Sequence, residues 1–170
     1  PNAIILATIN SDGRRDQLLP LFESGAILIY LAEKTGMFLP NDPAERYQTI
    51  QWLMWQMGGA GPMFGQFGHF HATDAGKAVT DKYAWRRYKE ETERLLDVLE
   101  ERLEGRNYIM GDDYTIADIA LWPWVRALRV SYKAADSLDL DDFENIGRWF
   151  DACSTRPASR KAVNIPNRNG

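Results

Sequence analysis

Two periods of apolar positions alternate along this chain. The first apolar run, Ala3 to Ile9, is rich in strand formers and stops at Asn10-Ser11-Asp12-Gly13, a turn signal. A second strand-length run, Leu18 to Phe22, comes next. The two runs predict an antiparallel hairpin with a polar loop. At Glu23 and Ser24 the period changes from two to that of a helix. Ala26, Ile27, Tyr30 and Leu31 then recur on one helical face, so Glu23-Ser24 stands where a strand hands over to a helix. This helix should end near Thr35, with Gly36 as a left-handed C′ residue. Phe38-Leu39-Pro40 reads as a linker. Asp42, Pro43 and Glu45 then suit the N-cap, first and third positions of a new helix.

The remainder reads as helical. Tyr47 to Met57 is apolar almost all round, the pattern of a helix buried on two sides. Gly58-Gly59-Ala60-Gly61-Pro62 is expected to bend or interrupt it, either as a simple kink or as the border of a cleft. Gln66 to His71 holds both histidines, and reads as a solvated helix end or as a polar, aromatic rim over a site. Ala72 to Lys77, with Gly76, reads as a loop. Tyr83 to Leu103 is a long amphipathic helix. Tyr88, Leu95, Leu99 and Leu103 face inward with Val98 beside them, while Arg86, Arg87, Lys89, Glu90, Glu91, Glu93 and Arg94 form its polar face. Thr115 and Asp118 suit a capping box, with Tyr114 and Ile119 as a hydrophobic staple. Pro123, between Trp122 and Trp124, should kink the helix begun at that box; the two indoles are core by default, and one could line an apolar pocket. Beyond acidic Asp139 to Asp142, a helix carries Phe143, Ile146, Phe150 and Cys153 on one face. Pro157 starts a last short helix, and Asn164 to Gly170 reads as a frayed tail. The predicted fold is mostly α with a small β part.

Composition narrows the function. Of 170 residues, 45% are hydrophobic, which supports a packed core. Net charge is −4 and no basic run stands out, against a nucleic-acid surface. No apolar run approaches the ~20 residues of a membrane span. A single cysteine, Cys153, cannot form an internal disulfide. With no signal-peptide pattern, a cytoplasmic protein is expected. The two histidines stand two residues apart, with no acid or cysteine at ligand spacing, so no metal site is expected. Glu23-Ser24 carries the clearest chemistry. Unpaired backbone N–H groups and the positive end of a helix dipole favour an anion there. Glu23 adds a fixed negative charge beside them. Together they could grip a zwitterion such as the ammonium and carboxylate of a free amino acid; an ordinary N-cap is the plainer reading.

The stretch Pro20-Leu21-Phe22-Glu23-Ser24-Gly25-Ala26-Ile27, followed by Tyr30-Leu31, resembles the glutathione-binding turn of the glutathione transferases. Tyr114-Thr115-Ile116-Ala117-Asp118-Ile119 resembles the capping box in that family's helical domain. Gln51-Trp52-Leu53-Met54-Trp55-Gln56-Met57-Gly58-Gly59 and Gly61-Pro62-Met63 resemble its bacterial nu-class branch. The resemblance covers nearly the whole chain, with the motifs in the family's order. It implies a partial thioredoxin-like domain, a β-hairpin plus helix, over 1–36, a linker over 37–42 and an all-α helical bundle domain over 43–170. Glutathione is then a co-substrate whose thiolate attacks an electrophile or a disulfide, with no tightly bound cofactor. A symmetric homodimer would use the second apolar face of Tyr47 to Met57. The implied glutathione-binding residues are Glu23, Ser24, Ile5 and Arg87, the last because Arg87-Tyr88 resembles a nu-class site where an arginine reaches a glutathione carboxylate.

One departure stands out. The family has a cis proline after the apolar residue matched by Ile5, and this chain has Leu6. A cis bond without proline costs about 2.5–4 kcal/mol, so a trans bond that re-aims Ile5 is expected. The chain opens with Pro1, and the resemblance implies a further strand–helix–strand–helix before it. That piece would hold the thiolate-stabilising donor, so no catalytic residue is assigned. Two other classes compete: a non-catalytic binding or dimerisation module of the same fold, and a helical structural protein whose Glu23-Ser24 is only a cap.

Overall fold

The computed structural model describes residues 18–165 and the backbone of 7–10. Strands β1 (Ala7–Asn10) and β2 (Leu19–Phe22) pair antiparallel, with Ala7 opposite Phe22 and Asn10 opposite Leu19. The ladder therefore takes in Asn10, expected in the turn, and leaves out Leu18, which is exposed. Pro20 fits because a two-stranded ribbon has only edges. Ile5 and Leu6 lie outside the described residues, as do 11–17 and the tail from 166.

Helix α1 (Ser24–Thr35) ends at left-handed Gly36, as expected. Its inward face differs from the apolar count: Gly25, Ile27 and Ala32 are buried, while Ala26 and Leu31 are exposed. The reason is a close approach that periodicity cannot register. A Cβ on Gly25 would sit 3.2 Å from the side chain of Met57, so the helix turns its bare backbone towards that residue. A small core of Ala32, Leu39, Leu53, Ile116 and Ala120 joins α1 to the helical part of the chain. Leu39 of the linker is thus buried, and the Phe38 carbonyl accepts from Ile116 N–H at 2.9 Å.

Helix α2 (Pro43–Trp55) starts where Asp42 accepts from Glu45 N–H at 3.0 Å. Within this chain it is buried on one side only: Leu53 is fully buried, while Tyr47 is 70% and Met54 47% exposed. The glycines beyond it do not break the helix. Gln56–Ala60 widens into a π segment and runs on as α3 (Gly61–Ala72), which has Pro62 in its first turn, where a missing N–H costs little. The expected loop over Ala72 to Lys77 is largely helix: α3 ends at Ala72, and α4 (Asp74–Lys77) is one turn capped by Thr73, whose hydroxyl accepts from Gly76 N–H at 3.0 Å. Gly76 is there for contact and not for a loop, since a Cβ would lie 2.1 Å from the His69 carbonyl.

Helix α5 (Tyr83–Leu103) has the predicted bounds, and Leu95, Leu96, Leu99 and Leu103 are buried along it. They pack in the main core with Phe64 and Phe67 of α3, Leu121 and Val125 of α6 (Ile116–Arg126), and α7 (Glu144–Thr155). Helix α6 runs past exposed Pro123 and continues directly as a second π segment, Ala127–Ser131. The capping box at its start forms as expected. The staple partners separate: Tyr114 packs on the main core and Ile119 on the smaller one, because α6 lies between the two. On α7 the buried residues are Ile146, Trp149 and Cys153, with Phe143 and Phe150 at the margin. Trp149 was not anticipated; its indole N–H donates to Asp118 at 2.9 Å. Helix α8 (Pro157–Ala162) closes the described chain.

Candidate functional site

The handover from β2 to α1 is open to solvent. Glu23 adopts φ 71° and ψ 117°, a region that a residue with a Cβ enters only at a cost of about 1–3 kcal/mol. Both Glu23 and Ser24 are exposed. Ile27 N–H donates to the Glu23 carbonyl at 3.0 Å, but no side chain among the described residues caps the amides of Ser24, Gly25 and Ala26. The first turn of α1 contains no acidic residue. Among the described residues the Ser24 hydroxyl meets only the soft sulfur of Met57, at 3.7 Å. The turn therefore rests on the π segment, with its donors unspent and a carboxylate beside them. That arrangement suits an ammonium next to a carboxylate.

Arg87 is exposed on the second turn of α5. Its neighbour Tyr88 stacks on Phe70, ring centroids 5.7 Å apart. Phe70 stands thirteen residues along the π segment and α3 from Met57, about 20 Å at 1.5 Å per residue. Glu23 and Ser24 thus share the start of α1, and Arg87 lies on α5. Sequence reasoning missed Met57 as the floor of the turn. Its place in the apolar run Tyr47 to Met57 gave no signal, because the contact is set by where α1 docks.

Cys153 is fully buried, and burial pushes its thiol pKa above the ordinary range, with the Asp118 charge adding and Arg156 opposing. A thiol held protonated is a poor nucleophile. His71 stacks on Phe67 at 4.9 Å, and burial lowers its pKa, opposed by the Lys133 backbone and aided by the Lys77 charge. No metal-binding group of His, Cys, Asp or Glu occurs among the described residues, and none of their helices is long and apolar enough to cross a membrane.

Comparison with known proteins accounts for this combination of folded parts. Residues 82–152 match the family model "Glutathione S-transferase, C-terminal domain". Disulfide-bond oxidoreductase YfcG of Escherichia coli is 46% identical over 165 residues, covering 96% of this chain and 73% of the relative. Disulfide-bond oxidoreductase YghU of Escherichia coli is 40% identical over 172 residues, covering all of this chain and 58% of the relative. A glutathione transferase from Burkholderia graminis, solved with two glutathione molecules per subunit, superposes with a TM-score of 0.90 at 54% identity, covering 95% of this chain and 67% of that one. One from Pseudomonas putida, solved with one glutathione disulfide per subunit, gives 0.89 at 51%, covering 94% and 69%. The chain belongs to the glutathione transferase family.

Proposed function

We propose that this chain supplies the glutathione-binding turn and the helical domain of a glutathione-dependent disulfide oxidoreductase. The observation that carries the reading is the open start of α1, where backbone donors that no described side chain caps and an exposed serine hydroxyl stand beside the strained Glu23. The Glu23 carboxylate takes the ammonium of the γ-glutamyl end of glutathione. Ser24, through its N–H and hydroxyl, takes the α-carboxylate of the same end. Ile5 is the position matched to the cysteinyl part, and Leu6 beside it, in place of the family's proline, is expected to re-aim its backbone. Arg87 holds a carboxylate of a second glutathione, or of the other half of glutathione disulfide.

In the reaction the glutathione thiolate attacks one sulfur of a disulfide, a mixed disulfide forms, and the other sulfur leaves as a thiolate. A second glutathione thiolate then attacks the mixed disulfide, releasing the substrate thiol and forming glutathione disulfide. The protein contributes position and charge, and Cys153 takes no part. The group that favours the attacking thiolate is assigned to no residue here. The division into 1–36, 37–42 and 43–170, a homodimer through the exposed Tyr47–Met54 face, and a cytoplasmic location belong to the same reading.

Titration calorimetry with glutathione tests it. Ser24→Ala should weaken binding by about 1.5–3 kcal/mol, the worth of a hydrogen bond to a charged group. Equal affinity would remove the turn from the site. Tight binding without turnover of any disulfide would return the non-catalytic module of this fold.

A further inference from the structure

The open turn at the start of α1 stands on the side chain of Met57. This residue lies in the π segment Gln56–Ala60 and packs on the small core of Ala32, Leu39, Leu53, Ile116 and Ala120. Its Sδ accepts from the Ser24 hydroxyl at 3.7 Å, in a contact open to solvent. A Cβ on Gly25 would lie 3.2 Å from the Cγ and Cε, and 3.4 Å from the Sδ, of the same side chain. The thioether therefore meets α1 at two successive residues, once at a hydroxyl and once at bare backbone. Met57 is half-buried, so the core holds one side of it while the sulfur faces the turn.

A thioether is a weak acceptor. It holds the Ser24 hydroxyl loosely, and the hydroxyl can turn to a carboxylate, where a charge-assisted bond is stronger. The same sulfur is open to oxidation. A hydroperoxide passes its terminal oxygen to a sulfur lone pair: the O–O bond breaks, an S–O bond forms, and the sulfur loses two electrons. The proton on the terminal oxygen moves to the leaving oxygen. The peroxide, now reduced, departs as an alcohol or, from hydrogen peroxide, as water. The product is a sulfoxide, a polar group whose acceptor oxygen stands one bond nearer the hydroxyl.

The other sulfurs stand elsewhere. Of the five methionines, Met37 and Met54 are exposed, Met63 packs on the main core, and Met110 accepts from Arg102 at 3.7 Å. Cys153 is fully buried. Among the described residues, Met57 alone joins a sulfur to the turn. We propose that Met57 is a redox-sensitive positioning residue of the glutathione turn. As a thioether it seats Ser24 and leaves the hydroxyl available; as a sulfoxide it captures that hydroxyl and closes the turn to glutathione. The proposal rests on the reading of this turn as a glutathione site. The oxidant is a hydroperoxide, and the repair is reduction by a methionine sulfoxide reductase.

Glutathione is titrated calorimetrically before and after treatment with hydrogen peroxide, and peptide mass mapping shows when Met57 carries one added oxygen. The oxidised wild type should keep its melting transition and bind about tenfold or more weakly, as expected for a lost hydrogen bond to a charged group. Methionine sulfoxide reductase with dithiothreitol should restore the affinity. Met57→Leu has no sulfur at the turn, and its affinity should be the same before and after treatment. The double variant Met37→Leu/Met54→Leu lacks both exposed methionines and should lose as much as the wild type. Ser24→Ala has no hydroxyl to capture and should lose less. Unchanged affinity in a wild type whose Met57 is fully oxidised would overturn the proposal and leave the glutathione reading standing. An equal loss in Met57→Leu would overturn it in the same way, as would disappearance of the melting transition, which would make the response unfolding. An untreated protein that binds no glutathione would overturn the reading and the proposal together.

Discussion

At the start of α6 the Asp118 carboxylate receives four donors: Ile109 N–H at 2.9 Å, Thr115 N–H at 2.8 Å, the Thr115 hydroxyl at 3.1 Å and the Trp149 indole at 2.9 Å. At the start of α1 no side chain among the described residues caps the helix, and Glu23 sits at positive φ. Both are N-termini of short helices in one small molecule. The first is fully buried and answers its own polar groups; the second is exposed and leaves them for something else. Burial pushes the Asp118 pKa up while the four donors pull it down, so the carboxylate ties the loop before α6, the start of α6 and α7 together only as long as every donor stays in place. A saturated helix start belongs to folding. An unsaturated one, strained and wet, is where a ligand is expected.

Breaking the closed end should have the largest effect. Asp118→Ala leaves several buried donors without a partner, each costing about 1–3 kcal/mol, and should destabilise the fold by about 3–5 kcal/mol in urea denaturation. A loss under about 1 kcal/mol would mean that water replaces the carboxylate and that the end is not closed. The open end should respond in the opposite manner. Ser24→Ala should leave unfolding free energy within about 0.5 kcal/mol, while glutathione affinity falls by about 1.5–3 kcal/mol. A destabilised Ser24→Ala with unchanged affinity would reverse the roles of the two ends.

Smaller changes sharpen the contrast. Glu23→Gly should relieve the positive φ and raise stability by about 1 kcal/mol, yet weaken glutathione by removing the carboxylate. Thermal melts and calorimetry on the same sample would show the two effects moving in opposite directions; if they move together, the strain serves the fold. The smallest effect is alkaline. Burial raises the thiol of Cys153 above its ordinary 9.0 and takes Tyr114 from 10.0 to about 12. Both groups lie beside the closed end. A raised pKa contributes stability that is complete below the ordinary value and is lost as pH rises through the raised one. Unfolding free energy should therefore begin to fall near pH 9, and less steeply in Cys153→Ala. An unchanged slope would exclude the thiol as a contributor.

Much of this was legible in the residues. The capping box at Thr115 and Asp118, the Asp42-Pro43-Glu45 start, the bounds of α5 and the strand-to-helix position of Glu23 are local patterns, carried by a few neighbouring side chains. The resemblance to glutathione transferases rested on the same short motifs. What stayed hidden involved contact across the sequence. The inward face of α1 comes from Gly25 meeting Met57, and a glycine adds nothing to an apolar count. Trp149 turns inward because Asp118 waits there, thirty-one residues earlier. The glycines after Met57 read as a break, and the chain kept its helix by widening one turn.

By itself, then, the sequence determined most of the segments that are helix or strand, where several of them begin, and that an acid and a hydroxyl occupy a strand-to-helix junction. Local hydrogen bonding and steric preference set those features, and they need no distant partner. Only the tertiary structure decided that Glu23 is strained, that Ser24 rests on Met57, and that Lys77, Lys82 and Arg86 line one cavity. Those facts depend on how helices dock, and docking is governed by the shapes of surfaces that meet from far apart in the chain.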